Sequence, residues 1–219
     1  MKFLSALVFI LVSFSLLSES NQSTSHLEKI VLGSGCFWGA EKGYEALPGV
    51  VDAVSGYADG YGVRPSYREI TKFINKFNPN NHAEVVEVTY NKNIINTAEL
   101  LQHYFESHDP TQVNQQGNDI GTQYRSIILY TNKDQKKIAE NLILEYQQLL
   151  NNSGYGQIAT IVKSLDEFFR AETYHQDYIA KNPNGYCPDH STGVRFTQDN
   201  PIELKDNSEL LYGDRKSVV

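Results

Sequence analysis

The sequence is poor in cysteine. It has two, Cys36 and Cys187, in 219 residues. Two thiols cannot build a disulfide-rich scaffold or a four-cysteine zinc site. They do not form a Cys-x-x-Cys pair either, which argues against a thioredoxin-like oxidoreductase. Basic residues are the minority: 19 Lys plus Arg face 26 Asp plus Glu, for a net charge of -7. A general nucleic-acid binder needs a basic face to neutralise phosphates, so that partner class is excluded. No Gly-x-Gly-x-x-Gly follows a strand pattern and there is no Walker loop, which removes the common nucleotide-binding folds. Beyond residue 17 no apolar run approaches membrane-spanning length. There is one Trp and one Met, whereas Tyr is abundant at 14. The remaining composition, 40% hydrophobic and 21% charged, is that of a globular chain with one main domain.

The N-terminus carries the first positive signal. Lys2 precedes FLSALVFILVSFSLL, an uncharged run too short to span a bilayer comfortably. It matches the apolar region of a secretory signal peptide, and Ser18-Glu19-Ser20 supplies a small-x-small cleavage pattern. The expected organisation is a signal peptide at 1–20, a polar tail at 21–28, a main domain at 29–190 and a coil extension at 191–219. The mature protein is then exported to the periplasm or the exterior, with no membrane span. An uncleaved anchor is the alternative; lipoprotein anchoring is unsupported, because no cysteine ends the run. Export implies an oxidising compartment in which two thiols can pair.

Periodicity gives the elements. Lys29–Leu32 reads as a short strand and is followed by Gly33-Ser34-Gly35. A helix then begins near Cys36, with Phe37, Ala40, Tyr44 and Leu47 at helical spacing, and Pro48-Gly49 ends it. Val50–Tyr57 and residues 84–90 alternate as strands. Thr97 reads as the N-cap of a helix running to His108. Residues 109–125 are polar and without period. Residues 126–130 read as a strand, Lys133–Leu150 as an amphipathic helix, 157–163 as a further strand and Leu165–Lys181 as a last helix. The class is α+β: helices packed on a mixed, mostly antiparallel sheet, a ferredoxin-like two-layer sandwich with a long C-terminal coil.

The candidate chemistry starts at Cys36. It follows a Gly-Ser-Gly turn at a helix N-terminus, where free N–H groups and the helix dipole stabilise a thiolate. Phe37 and Trp38 come next. Adjacent helical residues cannot both face the core, so one of the two lines a surface or a cleft. Cys187 lies in NPNGYCPDHS, a coil in which a thiol can swing onto a partner. A catalytic pair and a structural disulfide remain open on these features, although the setting of Cys36 favours reactivity. His82-Ala83-Glu84 opens a strand. The zinc deaminases that share His-x-Glu also need Cys-x-x-Cys, which is absent here. Glu84 is either an acid or a solvent-facing strand residue. Long polar loops such as 109–126, with Asp109, Asp119, Tyr124 and Arg125, are often functional.

Five blocks in order, GSGCFWGAE, SYREI, HAEVVEVTY, DPTQVNQQGNDIGTQYRS and AETYHQDYIAKNPNGYC, resemble peptide methionine sulfoxide reductase of the A type across roughly residues 29–190. The resemblance implies that Cys36 attacks the sulfoxide sulfur and that Phe37 and Trp38 receive the methyl group. It implies that Glu84 protonates the oxygen, that Tyr67 and Tyr124 hydrogen-bond it, that Asp119 helps hold the site and that Cys187 resolves the sulfenic acid. The implied substrate is methionine S-sulfoxide, free or in oxidised proteins. The implied electron donor is thioredoxin-like, with no metal or organic cofactor, and a monomer is expected. Physical chemistry agrees. A sulfoxide is a poor electrophile until its oxygen gains proton character, and a carboxylic acid that donates at neutral pH needs burial.

Three departures stand out. Residues 71–81 look longer than the usual connection. Asp59 stands where the family usually has Gly, so backbone strain is expected there. No third cysteine follows Cys187, so the disulfide would meet its reductant directly. Two rival readings remain besides the oxidoreductase: a cysteine hydrolase pairing Cys36 with His82, His103 or His175, and a binding module with an inert disulfide.

Overall fold

The structure is a computed structural model that describes residues 26–62 and 64–196. The expected signal peptide at 1–20 and the stretch from 197 onward lie outside the described residues. A continuous apolar run, Ile30-Val31-Leu32, buried on both faces of the sheet, builds β1 at Leu27–Gly33. It begins inside the expected polar tail, because Leu27 and Glu28 pair with Asn91 and Tyr90. Helix α1 covers Phe37–Glu45, with Cys36 at its N-cap. The strand β2 covers Val50–Ala58, the single turn α2 Tyr67–Ile70, and β3 Ala83–Asn91. Then come α3 at Thr97–Glu106, the two-residue strands β4 (Gln115–Gln116) and β5 (Asp119–Ile120), and β6 at Ile127–Tyr130. Helix α4 spans Lys133–Asn152, β7 Ile161–Ser164, β8 Phe168–Arg170, and α5 Tyr178–Lys181.

Six strands form one mixed sheet in the order β7-β6-β1-β3-β2-β8. The β6–β7 pair is parallel, and the other pairs are antiparallel. The helices pack on one face. There Ile30, Leu32, Val86, Val88 and Ile128 meet Tyr44, Leu100, Tyr104, Leu142 and Tyr146. A smaller cluster on the other face joins Val31, Ala58, Ala83, Val85, Ile127 and Leu129, with Leu165 and Phe168 against it. The period of two puts Glu84 on the helix face, in line with Val86 and Val88.

Several expectations are corrected. The cap of α3 is Asn96, not Thr97. Asn96 Oδ1 accepts from the Glu99 N–H at 3.0 Å and Glu99 Oε2 accepts from the Asn96 N–H at 2.9 Å, a reciprocal box. The Thr97 hydroxyl is instead buried against the Tyr90 hydroxyl at 2.7 Å. The strand expected from 157 pairs only from Ile161, because Ala159 turns its N–H to the Pro110 carbonyl at 2.7 Å. The expected helix at 165–181 is mostly absent. Phe168–Arg170 adds to the edge of β2, Ala171 donates to the Ser55 carbonyl, and Asp177 takes a φ of 51° that breaks any helix. Tertiary partners override helix propensity here.

Two loops shape the approach to the sheet. Asp59 does adopt a left-handed φ, 58°. Arg125 Nη2 donates to its carbonyl at 2.7 Å and its carboxylate at 2.9 Å, and Lys163 bonds the other oxygen. Residues 71–81 carry a 3-10 turn, Phe73–Asn75, which leaves Phe73, Ile74 and Phe77 exposed. The segment is tied down where the Lys76 and Asn75 carbonyls accept from the N–H and hydroxyl of Thr122 at 2.8 and 3.1 Å.

The end of β1 is held by a buried network. The Tyr104 hydroxyl bonds the Gly33 carbonyl at 3.1 Å and Ser126 Oγ at 2.7 Å, and His108 Nε2 reaches the same Ser126 oxygen at 2.7 Å. Tyr104→Phe removes the shared group. It is expected to cost about 1–3 kcal/mol, read as a lower urea midpoint at unchanged m-value.

The chain after 181 stays attached to the body. Asn182 donates its N–H and its side-chain amide to the Tyr178 carbonyl at 2.8 and 2.9 Å, and the Gly185 N–H returns to the Asn182 carbonyl at 2.7 Å. Further on, the Tyr146 hydroxyl donates to the Val194 carbonyl at 3.0 Å and the Phe196 ring stacks on Tyr146 at 4.8 Å. Packing on α4 thus continues past the expected boundary at 190.

Candidate active site

The Gly33-Ser34-Gly35 turn, with Gly35 at φ 98°, delivers Cys36 to the N-terminus of α1. The Trp38 and Gly39 amides hydrogen-bond the sulfur and pull its pKa down. Burial outweighs them, and the charges of Glu84 and Asp119 add to it, so the thiol lies well above its usual pKa. The expected helix-stabilised thiolate is therefore corrected to a protonated thiol in the resting site.

Glu84 is the acid. It is 2% exposed, so the solvent-facing alternative is excluded. Its Oε2 accepts from the Phe37 N–H at 3.3 Å, while Oε1 has no hydrogen-bond partner among the described residues. Burial pushes its pKa up to about 8, Asp119 adds to this, and the Phe37 N–H opposes it. At neutral pH the carboxyl holds its proton. Tyr67, at the start of α2, is pushed up to about 12 by burial and by the charges of Glu84 and Cys36. Tyr124 is raised by burial, then by Glu84 and Tyr67. Two neutral phenols therefore stand around the acid and the thiol. Asp119, on β5, is raised by burial and opposed by His190. His190 Nε2 lies 3.9 Å from Asp119 Oδ2.

Phe37 and Trp38 divide as adjacent helical residues must. Phe37 is buried, with its ring 5.8 Å from Tyr57 and 4.9 Å from His175. Trp38 is half-buried. It stacks on Tyr178 at 3.8 Å and donates its indole N–H to His175 Nδ1 at 2.9 Å. Burial lowers the His175 pKa, so the ring is neutral, with its proton on Nε2. Glu172 braces the same wall by accepting from the Tyr57 hydroxyl at 2.7 Å and the Tyr67 N–H at 3.0 Å.

Cys187 is exposed in its coil, and both thiols are free. Both line one cavity of about 100 Å³, together with Ser34, Gly39, His103 and His190. A Cβ placed on Gly39 would stand 3.2 Å from the Cys187 sulfur, so glycine at this position admits the second thiol onto α1.

The structure thus brings Cys36, Phe37, Trp38, Tyr67, Glu84, Asp119, Tyr124 and Cys187 into one neighbourhood. Of the histidines a hydrolase would use, His175 is committed to Trp38, His82 packs edge-on against Phe169 at 5.7 Å, and His103 packs edge-on against Tyr44 at 5.8 Å. Sequence reasoning missed Glu172, His190 and Tyr178. Only the place of Glu172 and Tyr178 within AETYHQDY, and of His190 in NPNGYCPDHS just after the GYC block, could have marked them.

The pattern of the peptide methionine sulfoxide reductase family matches residues 28–203. A peptide methionine sulfoxide reductase MsrA from Vibrio parahaemolyticus is 45% identical over 171 residues, covering 78% of each chain. Methionine sulfoxide reductase A of Corynebacterium diphtheriae superposes with a TM-score of 0.69 at 42% identity, over 78% of this chain and 82% of its own. Reduced Mxr1 from Saccharomyces cerevisiae gives 0.65 at 37%, over 78% and 93%. The same yeast protein solved in complex with Trx2 gives 0.50 at 26%, over 78% and 91%.

Proposed function

The chain belongs to the peptide methionine sulfoxide reductase family and reduces methionine S-sulfoxide to methionine through thiols, and we propose that Cys36, Glu84 and Cys187 carry the three steps. The sulfoxide methyl group lies against Phe37 and Trp38. Glu84 gives its proton to the sulfoxide oxygen, and Tyr67 and Tyr124 donate hydrogen bonds to it without charging. Cys36 attacks the sulfur as its own proton returns to Glu84. The oxygen leaves methionine and ends on Cys36 as a sulfenic acid. Asp119 holds the polar side of the site. Cys187 then condenses with the sulfenic acid, releasing water and leaving a Cys36–Cys187 disulfide.

The observation that carries this reading is the Glu84 carboxyl: buried, protonated at neutral pH and with one oxygen unpaired. A single-turnover experiment tests it. The fully reduced protein, given a peptide with methionine S-sulfoxide and no added reductant, should form about one methionine per chain and lose two hydrogens. No methionine with both thiols still free would overturn it.

The Trx2 complex of the yeast relative supports a thioredoxin-like donor that reduces the disulfide directly. Residues 1–20 support export, so the enzyme acts on oxidised proteins and meets this donor outside the cytoplasm; a secreted form that begins at Asn21 is the expected product. We read the enzyme as a monomer. The run β1-α1-β2-β3-α3-β6, with central strand order β6-β1-β3-β2, supports the ferredoxin-like reading of the fold.

A further inference from the structure

Glu41 is a buried charge that the chemistry above does not use. It lies on α1, one turn after Trp38, and is 1% exposed. Such a group is costly unless it is paired. Its carboxylate is spent on two backbone donors: Oε1 accepts from the Ser55 N–H at 3.1 Å and Oε2 from the Asp177 N–H at 2.8 Å. The two donors belong to different parts of the chain. Ser55 is in β2. Asp177 sits with φ 51° between Gln176 and Tyr178. Gln176 closes the junction, donating its amide to the Ser55 and Ala171 carbonyls at 3.0 and 3.1 Å.

The neighbours of Asp177 are the support of the indole. His175 takes the Trp38 N–H, and Tyr178 covers the Trp38 face. The segment 171–178 has little regular structure of its own to hold it. Its left-handed residue is locked onto α1 by one carboxylate oxygen.

We infer that Glu41 is a positioning residue that sets the methyl-binding wall by fixing segment 175–178, and with it the orientation of Trp38. This rests on Trp38 serving as that wall. Glu41→Gln presents an amide N–H₂ to one of two N–H donors and so breaks one of the two contacts. The segment then loosens against the indole, and substrate binding suffers ahead of the chemistry.

The test uses the full chain and a peptide carrying methionine S-sulfoxide. Glu41→Gln should raise KM about tenfold, the worth of one hydrogen bond to a charged group, with kcat within about twofold of wild type. Trp38 is the only tryptophan, so its emission reports the wall directly and should become more accessible to acrylamide. In a Trp38→Ala background the Glu41→Gln effect on KM should shrink to less than about twofold, since neighbours that act through one another do not add. An equal KM effect in both backgrounds, or unchanged KM and quenching, would overturn the inference. Should Glu41→Gln fail to fold, Glu41→Asp, which keeps the charge and shortens the reach, reads the same quantities, with the same outcomes deciding. A Trp38→Ala variant with wild-type KM would instead overturn the assignment of the wall itself.

Discussion

Glu84→Gln is expected to fold normally and to form methionine about a hundred- to ten-thousandfold more slowly at pH 7, the usual worth of a positioned general acid. The amide oxygen can still accept the Phe37 N–H that now binds Oε2, so geometry is kept and only the transferable proton is lost. The pH dependence gives a second reading. Wild-type single-turnover rate should be flat through neutral pH and fall as pH rises through about 8, where Glu84 ionises. The variant should lack that limb. Stability moves with the same group. Burial raises the carboxyl from its ordinary 4.5 to about 8, so its contribution to stability is full below 4.5 and is lost as pH rises through 8. The whole difference is on the order of 5 kcal/mol. Glutamine never ionises, so calorimetry should show the variant gaining on wild type in Tm between pH 5 and pH 9. Parallel pH profiles for the two proteins would remove Glu84 from the acid role.

Cys187→Ser is expected to separate the two halves of the cycle. The first half needs only Cys36 and the acid, so about one methionine per chain should appear in a burst. The sulfenic acid on Cys36 then has no resolving thiol. Turnover driven by a thioredoxin-like dithiol should stop after that burst, and Cys36 should become labelled by a sulfenic-acid probe. Wild-type protein should take no such label. Undiminished steady-state turnover of the variant would leave Cys187 without a catalytic role. It would also revive the reading of Cys36 as a hydrolytic nucleophile, which never needs a second thiol.

The parts legible in the sequence are those that local chemistry writes in one place. GCFWG announces a turn, a helix terminus and an aromatic pair, and the structure supplies all three at Cys36, Phe37 and Trp38. The alternation around Glu84 gives a strand with a defined inner face. Other features depend on distant partners and were not legible. Thr97 reads as a cap because threonine caps helices; Asn96 wins because Glu99 completes its box while Tyr90 claims the Thr97 hydroxyl. Residues 165–181 carry helix-forming side chains, yet β2 takes Phe168–Arg170 as an edge and α1 takes the Asp177 N–H. The protonation of Cys36 was misjudged for the same reason. A helix terminus is visible in sequence, whereas burial and two nearby carboxylates belong to the assembled site.

The coil that carries Cys187 is pinned at both ends, by Asn182 on one side and by Val194 and Phe196 on Tyr146 on the other. Its thiol is therefore confined to a short tether rather than hung on a free tail. Confinement fixes an effective concentration, about millimolar or higher for short linkers, that no change in the medium can dilute. An oxidised Cys36 meets that local thiol ahead of thiols and peroxides free in solution. The tether thus decides a kinetic race, so that a sulfenic acid becomes a reducible disulfide before it climbs to an irreversible acid.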